Sequence, residues 1–261
     1  MTKGATLRIL MIGDIVGRPG RKAVRQFLPG LFRDYQPDLV IANGENCAGG
    51  LGLTPDTLEE LLGYGIDVVT TGNHIWAKKE IIPCLDSDLP VLRPLNFPPG
   101  APGRGYLVVK GVIVVNLIGR VFVGQYDCPF RATDSLLAEV CAATKAIVID
   151  FHAEATSEKV ALGRYLDGRV SAIFGTHTHV GTIDAQILPR GTAYVSDVGM
   201  AGPINSVIGV DPELAIRNFL TGVPHRFAVG EGPVALDAIL VTIDSVTGKA
   251  KDIQRIRRTE E

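Results

Sequence analysis

Short runs of apolar, often β-branched residues alternate along the chain with segments in which apolar residues recur at helical spacing. The first run, Leu7–Ile12, predicts a buried strand, and the amphipathic segment after Pro19 and Gly20 predicts a helix. Thr54 and Pro55 are typical of a helix start, because a hydroxyl caps the first turn and a proline there needs no N–H. The helix after Pro55 is expected to end at Gly63 or Gly65. The other predicted strands are Leu39–Ala42, Val68–Thr71, Tyr106–Val109, Val112–Leu117, Ala146–Phe151, Val170–Phe174, Ala185–Leu188, Ala193–Val195, Val234–Ile243 and Ala250–Ile256. The other predicted helices are Ala77–Ile82, Asp134–Ala143, Ser157–Leu166 and Pro212–Leu220.

The order of these elements predicts an α/β fold. A βαβαβ start, followed by hairpins and further βα units, favours a sheet that is partly parallel and partly antiparallel, with helices on both faces. The stretch Leu89–Arg104 is rich in proline and predicts an irregular loop that is too short to establish a domain boundary. Since a domain holds roughly 100–200 residues and α/β domains run longer, residues 1–261 are interpreted as a single domain.

Composition narrows the class of protein. Apolar residues make up 46% of the chain, and 26 basic against 28 acidic residues give a net charge of −2, which excludes general disorder and disfavours nucleic acid as a partner. No apolar run reaches the roughly 18–20 residues of a membrane span, and the N-terminal segment lacks the pattern of a signal peptide. The cysteines form no CxxC motif, which favours reduced thiols and a cytoplasmic location. We expect no membrane partner and leave a homo-oligomer open.

Polar side chains suited to metal binding follow five of the predicted strands. In open α/β sheets, ligands bind beyond the carboxyl ends of the strands, so we expect these side chains to lie near one another. Carboxylate, amide and imidazole groups together are typical of metal sites, and a His-x-His pair at strand-like spacing directs both rings to the same side. The side chains are Asp14, Glu45, Asn46, Asn73, His74, His152, His177 and His179.

Each of these residues also has a structural interpretation when it is taken alone. An aspartate after a strand is often a helix cap, an Asn-Gly pair is often a turn, and a single histidine is often a hydrogen-bonded core or surface residue. The joint pattern favours a metal site, because four of the five histidines occupy strand ends. The fifth, His225, lies in a Val-Pro-His-Arg segment and is interpreted as structural.

The series of motifs resembles the calcineurin-like metallophosphoesterases. Members of that superfamily carry the motifs D-x-H, G-D-x-x-D, G-N-H, H and G-H-x-H in this order. In the present sequence, the last three motifs match around Asn73, His152 and His177. Two places depart: Val16 stands where the first motif has histidine, and Glu45 must take the bridging role of the aspartate in the second motif. With these departures, the chain resembles the YmdB-like subgroup over essentially its whole length. The motifs that carry this resemblance are GDIVG, NGEN, GNHIW, DFHAE and GTHTHV.

The resemblance implies a sandwich of mixed parallel and antiparallel sheets flanked by helices, and a centre of two transition-metal ions. It also implies that small phosphodiesters are hydrolysed, namely cyclic nucleotides of the 2′,3′ type and, by extension, of the 3′,5′ type. Such ions lower the pKa of a bound water and hold phosphoryl oxygens for in-line attack. Oxygen and nitrogen ligands suit iron or manganese, with zinc as an alternative. Carried over by motif, one ion takes Asp14, Glu45, Asn46 and His179, and the other takes Glu45, Asn73, His152 and His177.

Several residues outside the implied ligand sets have more than one possible role or no assigned role. His74 is expected to protonate the leaving group, and a structural hydrogen bond is the alternative. Cys47 is interpreted as a small buried residue, Arg120 as a surface ion-pair residue or a phosphate contact, and Asp197 as a strand-end residue without an assigned role. The alternative functions are a phosphomonoesterase, a nuclease with the same centre, and a regulator that binds a nucleotide or partner without turnover.

Overall fold

The computed structural model describes residues 6–140, 144–224 and 228–260. Within these ranges, strands and helices alternate along most of the chain, and two 3₁₀ turns lie at Ile75–Ala77 and Lys79–Ile81. The strands are β1 (Thr6–Ile12), β2 (Asp14–Ile15), β3 (Leu39–Asn43), β4 (Val68–Thr70), β5 (Tyr106–Val109), β6 (Val112–Ile118), β7 (Ile147–His152), β8 (Ala172–Thr176), β9 (Gln186–Ile187), β10 (Ala193–Val195), β11 (Met200–Pro203), β12 (Val234–Asp244) and β13 (Ala250–Thr259). The helices are α1 (Gly17–Tyr35), α2 (Pro55–Gly63), α3 (Ile82–Leu85), α4 (Pro129–Val140), α5 (Thr156–Leu166) and α6 (Pro212–Thr221).

The strands form two sheets rather than the single sheet that the order of elements predicted. The larger sheet has seven strands in the order β2-β11-β12-β1-β3-β4, with β13 paired to β12, and its β1, β3 and β4 run parallel. The smaller sheet has six strands in the order β5-β6-β7-β8-β10-β9. Its four inner strands run parallel, and the two outer strands are antiparallel hairpin partners. Both sheets therefore direct the carboxyl ends of several neighbouring strands to one edge.

Three apolar layers hold the sheets and helices together. In β1, Leu10 packs with residues of α1 and α2, whereas its neighbour Met11 packs in a layer shared with the smaller sheet. In β6, Val114 lies in that same inter-sheet layer, and Val115 packs with residues of α4 and α5. Alternate residues of a strand face opposite sides of its sheet, so both faces are apolar and both are covered. The fold is thus a sandwich of two mixed sheets flanked by helices, which confirms the predicted fold class.

Several predicted elements differ in detail from the structure. The predicted helix Ala77–Ile82 is two 3₁₀ turns followed by α3, which continues through Pro83 because proline is tolerated in a first helical turn. The prediction that Ser157 caps α5 is wrong, since the helix begins one residue earlier and follows Ala155, which has no capping oxygen. The short strands β2 and β11 were not predicted, because runs of two and four residues carry little periodicity.

Some expectations fall on segments outside the described ranges. The end of the predicted helix Asp134–Ala143 includes residues 141–143, and the interpretation of His225 as structural concerns a residue that is also outside them. Among the residues that are described, no helix combines the length and the apolar character needed to cross a bilayer.

Strands β8 and β10 approach so closely at Gly175 that a side chain has no room there. A Cβ on Gly175 would collide with the carbonyl of Ser196. We predict that Gly175→Ala lowers the free energy of unfolding by roughly 3 kcal/mol or more, since neither backbone can move without breaking the parallel ladder. Gly63→Ala is the matched control, because a Cβ on Gly63 meets nothing within 4 Å.

The melting temperatures of the two variants test this close approach. Gly175→Ala is expected to melt about 6–12 °C below the unsubstituted protein, and Gly63→Ala is expected to melt at or slightly above it. Equal melting temperatures for both variants would contradict the close approach of β8 and β10.

Candidate metal centre

The predicted metal ligands converge where the carboxyl edges of the two sheets meet. Asp14 lies in β2, and Glu45 and Asn73 follow β3 and β4 of the larger sheet. His152 ends β7, and His177 follows β8 of the smaller sheet. Parallel neighbours end at the same edge, so each sheet contributes one group of ligands to the junction.

One group of nitrogen and oxygen atoms surrounds the ring of His152. Its Nε2 lies 3.0 Å from Glu45 Oε1, 3.0 Å from His177 Nδ1 and 3.1 Å from Asn73 Oδ1. One donor atom each from Glu45, His152 and His177 lies within 4.8 Å of the other two, which is a spacing that a metal ion can bridge. This group corresponds to the second of the two predicted ligand sets.

The other predicted ligand set surrounds Asp14. Asp14 is fully buried, and its Oδ1 has no hydrogen-bond partner among the described residues. That oxygen lies 3.6 Å from His179 Nε2, and the Asn46 side-chain amide lies 3.2 Å from the same ring nitrogen. A buried carboxylate oxygen without a partner is costly, so this atom indicates a cation as its partner.

The charges of the centre also fit bound cations. Burial would raise the pKa of Glu45, but the His152 ring and the His74 backbone N–H lower it to about 2. Burial opposes a charge on His152, but the carboxylates of Glu45, Asp14 and Asp150 outweigh it and raise its pKa to about 9. The surrounding carboxylates therefore favour a positive charge at this position, which a proton on His152 or a metal ion would supply. A metal ion would displace that proton, since a ligating imidazole must be neutral.

A second layer of hydrogen bonds fixes which nitrogen of His152 faces the centre. Thr176 donates its hydroxyl to Asp150 over 2.7 Å and lies 3.0 Å from His152 Nδ1. Because the threonine proton is used, its oxygen accepts from Nδ1, and Nε2 is directed at Glu45. Asp150 also accepts from Asn43 and Thr70. Sequence analysis missed Asp150, although a carboxylate inside an apolar strand was a usable signal.

The segment that carries His177 and His179 is held in a strained conformation. Both histidines have positive φ, 97° and 64°, which is uncommon for residues other than glycine. Between them, Thr178 donates its N–H and its hydroxyl to Asp197, and Lys159 Nζ pairs with the same carboxylate over 2.8 Å. Asp197, which had no assigned role, is therefore a positioning residue for the two histidines. Lys159 was missed because a lysine in a helix normally faces solvent.

The remaining predicted residues also have defined surroundings. The backbone N–H of His74 donates to Glu45 Oε2 over 3.1 Å, and its ring Nε2 lies 3.2 Å from the Asn73 amide, so its side chain borders the centre. Cys47 is buried, and burial raises its pKa to about 12, as befits a packing residue. The Arg120 side chain is exposed, and the backbone N–H of Arg120 donates to Glu158.

The absence of a side chain at Gly72 leaves room for the ligand side chains to meet at the centre. Gly72 lies against it, and a Cβ at that position would collide with the side chains of Glu45 and His152. The available atoms are carboxylate oxygens, amide oxygens and imidazole nitrogens, a set that suits a transition metal. The residues present therefore fit a metal centre in composition, charge and space.

Comparison with known proteins shows the family to which the chain belongs. The sequence profile described as YmdB-like protein matches residues 10–256. The chain belongs to the YmdB-like family. This membership confirms the resemblance found in the sequence motifs. The individual ligand assignments and the number of ions stay predictions.

Relatives of this YmdB-like chain cover nearly its whole length. It is 50% identical over 254 residues to the 2′,3′-cyclic-nucleotide 2′-phosphodiesterase of Bacillus subtilis, covering 96% of each chain. A hypothetical protein from Thermus thermophilus has a similar structure, with a TM-score of 0.92 and 45% identity over 98% of this chain and 100% of that one. A novel phosphatase of Mycoplasma pneumoniae has a TM-score of 0.93 and 35% identity over 98% and 95%.

The shared position of Glu45 predicts an order of effects on metal content. Glu45 borders both ligand sets, so Glu45→Gln is expected to lower bound metal more than Asp14→Asn, which belongs to one set. Elemental analysis of protein purified without chelator should give about one to two equivalents per chain for the unsubstituted protein. Glu139→Gln, an exposed glutamate on α4, is the control and should keep that content. Normal metal content in Glu45→Gln would refute the bridging assignment.

Proposed function

We propose that this protein is a metal-dependent phosphodiesterase that hydrolyses small cyclic nucleotides, the 2′,3′ type first and the 3′,5′ type second. The observation that carries the proposal is the pair of ligand sets that meet at Glu45, 3.0 Å from His152 Nε2. The Bacillus subtilis relative, whose name gives a 2′,3′-cyclic nucleotide as substrate, supports the choice of substrate. The proposal includes two transition-metal ions, iron or manganese with zinc as an alternative, and a cytoplasmic location.

The chemistry follows from the charges that the chain places at the junction. Two divalent ions bring four positive charges and the carboxylates of Asp14 and Glu45 bring two negative ones, so the loaded centre attracts a phosphodiester. When bound, such ions supply Lewis-acid activation of water and neutralise charge on the phosphoryl oxygens. The chain's own part is to hold the ligands rigidly on strand ends and to place His74 beside them. From there the imidazole can deliver a proton to the departing ribose oxygen.

Of the rival functions, only the phosphomonoesterase has specific support. A phosphomonoesterase is favoured by the Mycoplasma pneumoniae structure, which is described as a phosphatase. A regulator without turnover would use the same ligands, but it would need no proton donor at His74. A nuclease is disfavoured by the net charge of −2, since long nucleic acids bind mainly through basic surfaces. Self-association stays a prediction.

Substrate preference after metal reconstitution tests the proposal. The protein is depleted with a chelator, reloaded with iron or manganese, and assayed on 2′,3′-cyclic AMP, on 5′-AMP and on a short oligonucleotide. We expect the chelated protein to be inactive and the reloaded protein to have its highest kcat/KM on the cyclic diester. Full activity after chelation would reject the metal mechanism, and a higher kcat/KM on 5′-AMP would favour the phosphomonoesterase.

The position of His74 predicts an effect that depends on the leaving group. His74→Ala removes the imidazole but keeps the backbone N–H that donates to Glu45, so metal content should be retained. A positioned general acid contributes about 10²–10⁴ in rate, and it matters most when a ribose alkoxide departs. We therefore expect a much larger loss on cyclic nucleotides than on a nitrophenyl diester, whose leaving group needs no proton.

The control for this prediction is the metal content of the same variant. Equal losses on both substrates with normal metal would argue against the acid role. Equal losses with missing metal would instead identify His74 as a ligand or a support of the centre.

A further inference from the structure

Residues 119–126 form a loop, called here the mouth loop, that begins and ends at the metal centre. It follows β6, whose last residue pairs with His152, and the N–H of Gly119 donates to the His152 carbonyl over 2.9 Å. At its other end, Tyr126 stacks on Phe97 with ring centroids 5.1 Å apart. Burial and the nearby charge of Glu45 raise the pKa of Tyr126.

Buried side chains fix both ends of the mouth loop. Asn96, only 2% exposed, donates its amide to the carbonyls of Ile118 and Asp127, each over 2.8 Å, and so ties the two ends together. The buried carboxylate of Glu158 accepts the backbone N–H groups of Arg120 and Val121 at 3.1 Å. A loop with this many buried anchors is preorganised rather than loosely tethered.

Within this fixed loop, Phe122 combines a left-handed backbone conformation in a turn with an exposed aromatic ring. Its φ is +64°, and its side chain is 90% exposed. The left-handed conformation costs a bulky residue roughly 1–2 kcal/mol. A phenyl ring that is exposed to solvent buries too little apolar surface to offset this cost. Three residues span at most about 11 Å, so Phe122 lies within that distance of Gly119 at the edge of the centre. Strain of this kind is found mainly at binding and catalytic sites.

Aromatic rings also pack between the segment that carries His74 and the mouth loop. Trp76 follows His74 by two residues and packs on Phe97 at 5.7 Å between centroids, and Phe97 in turn stacks on Tyr126. The strip Trp76–Phe97–Tyr126 therefore runs from the proton donor to the end of the loop that presents Phe122. An exposed aromatic ring near a cationic phosphate site, such as that of Phe122, suits a ligand that joins a phosphate to a planar base.

We propose that Phe122 stacks on the base of the substrate, so that the mouth loop selects nucleotides over other small phosphodiesters. The inference rests on the proposed function. It assigns a binding residue to the base, which is the part of the substrate that the metal centre does not bind. Stacking on one ring tolerates every base, because each base has a π face, and favours purines through their larger area. Phe122 is thereby a specificity residue that does not take part in the bond-breaking step.

The experiment compares substrates with and without a base in metal-loaded protein. Phe122→Ala is assayed on 2′,3′-cyclic AMP and on the 2′,3′-cyclic phosphate of methyl riboside, which lacks the base. We expect kcat/KM on the nucleotide to fall roughly 10- to 100-fold, mainly through KM, with little change on the base-free ester. Phe122→Trp should restore the nucleotide activity. Phe219→Ala is the matched control, because Phe219 is 83% exposed on α6 and should affect neither substrate.

A second variant tests the other place where a base could bind. A cavity of about 300 Å³ adjoins His179 and is lined in part by Ile204 and Met200. If Ile204→Ala, and not Phe122→Ala, lowers kcat/KM selectively on the nucleotide, the base lies in that cavity and the inference is overturned. Equal losses on both substrates in Phe122→Ala, or no loss on either, would also overturn it.

Failure of the proposed function is distinguishable from failure of this inference. Unsubstituted protein that hydrolyses no cyclic nucleotide would reject the function, whatever the variants do. In that case calorimetric binding of adenosine 3′-monophosphate, compared with ribose 5-phosphate, still tests the stacking. Phe122→Ala should weaken only the adenosine ligand, and an unchanged affinity for it would refute the role of Phe122.

Discussion

The structure depends on a group of carboxylates that the fold buries where the two sheets meet. Asp14, Glu45 and Asp150 are each no more than 2% exposed. Burying an unpaired carboxylate costs on the order of several kcal/mol. Hydrogen bonds satisfy Asp150, and Glu45 Oε1 lies 3.0 Å from His152 Nε2, but Asp14 Oδ1 has no hydrogen-bond partner among the described residues. Bound cations would therefore stabilise the folded chain as well as supply its chemistry.

The metal centre forms only where the two sheets pack against each other. Asp14, Glu45 and Asn73 come from the larger sheet and the histidine ligands from the smaller, so each predicted ligand set draws on both sheets. A hydrogen bond of 3.0 Å from Asn43 to Asp150 crosses the same junction. Any substitution that shifts one sheet against the other should therefore weaken metal binding, even when it lies in the inter-sheet layer far from the ligands.

Sequence analysis succeeded where the signal is local and failed where it depends on distant partners. The apolar runs identified most strands, and short polar motifs after them identified side chains that converge at the junction of the sheets, because a strand end places its next residues at the sheet edge. Nothing local indicates that β5 and β6 start a second sheet, since the apolar run of β6 resembles that of β1. Lys159 and Asn96 were missed for a related reason: their partners, Asp197 and Asp127, lie more than 30 residues away.

The predicted metal ligands and the residue proposed to select the substrate lie on different kinds of backbone in this fold. Most ligands lie at or just after strand ends, whose positions the sheets fix. Phe122 instead lies on a loop that side chains such as Asn96 and Glu158 hold in place. His177 and Phe122 both have positive φ, and in both places a buried carboxylate, Asp14 or Glu158, accepts backbone N–H groups in the same segment. A loop can change length and sequence without moving the sheets. Substrate preference within this family is therefore expected to vary with the mouth loop while the ligands stay in place.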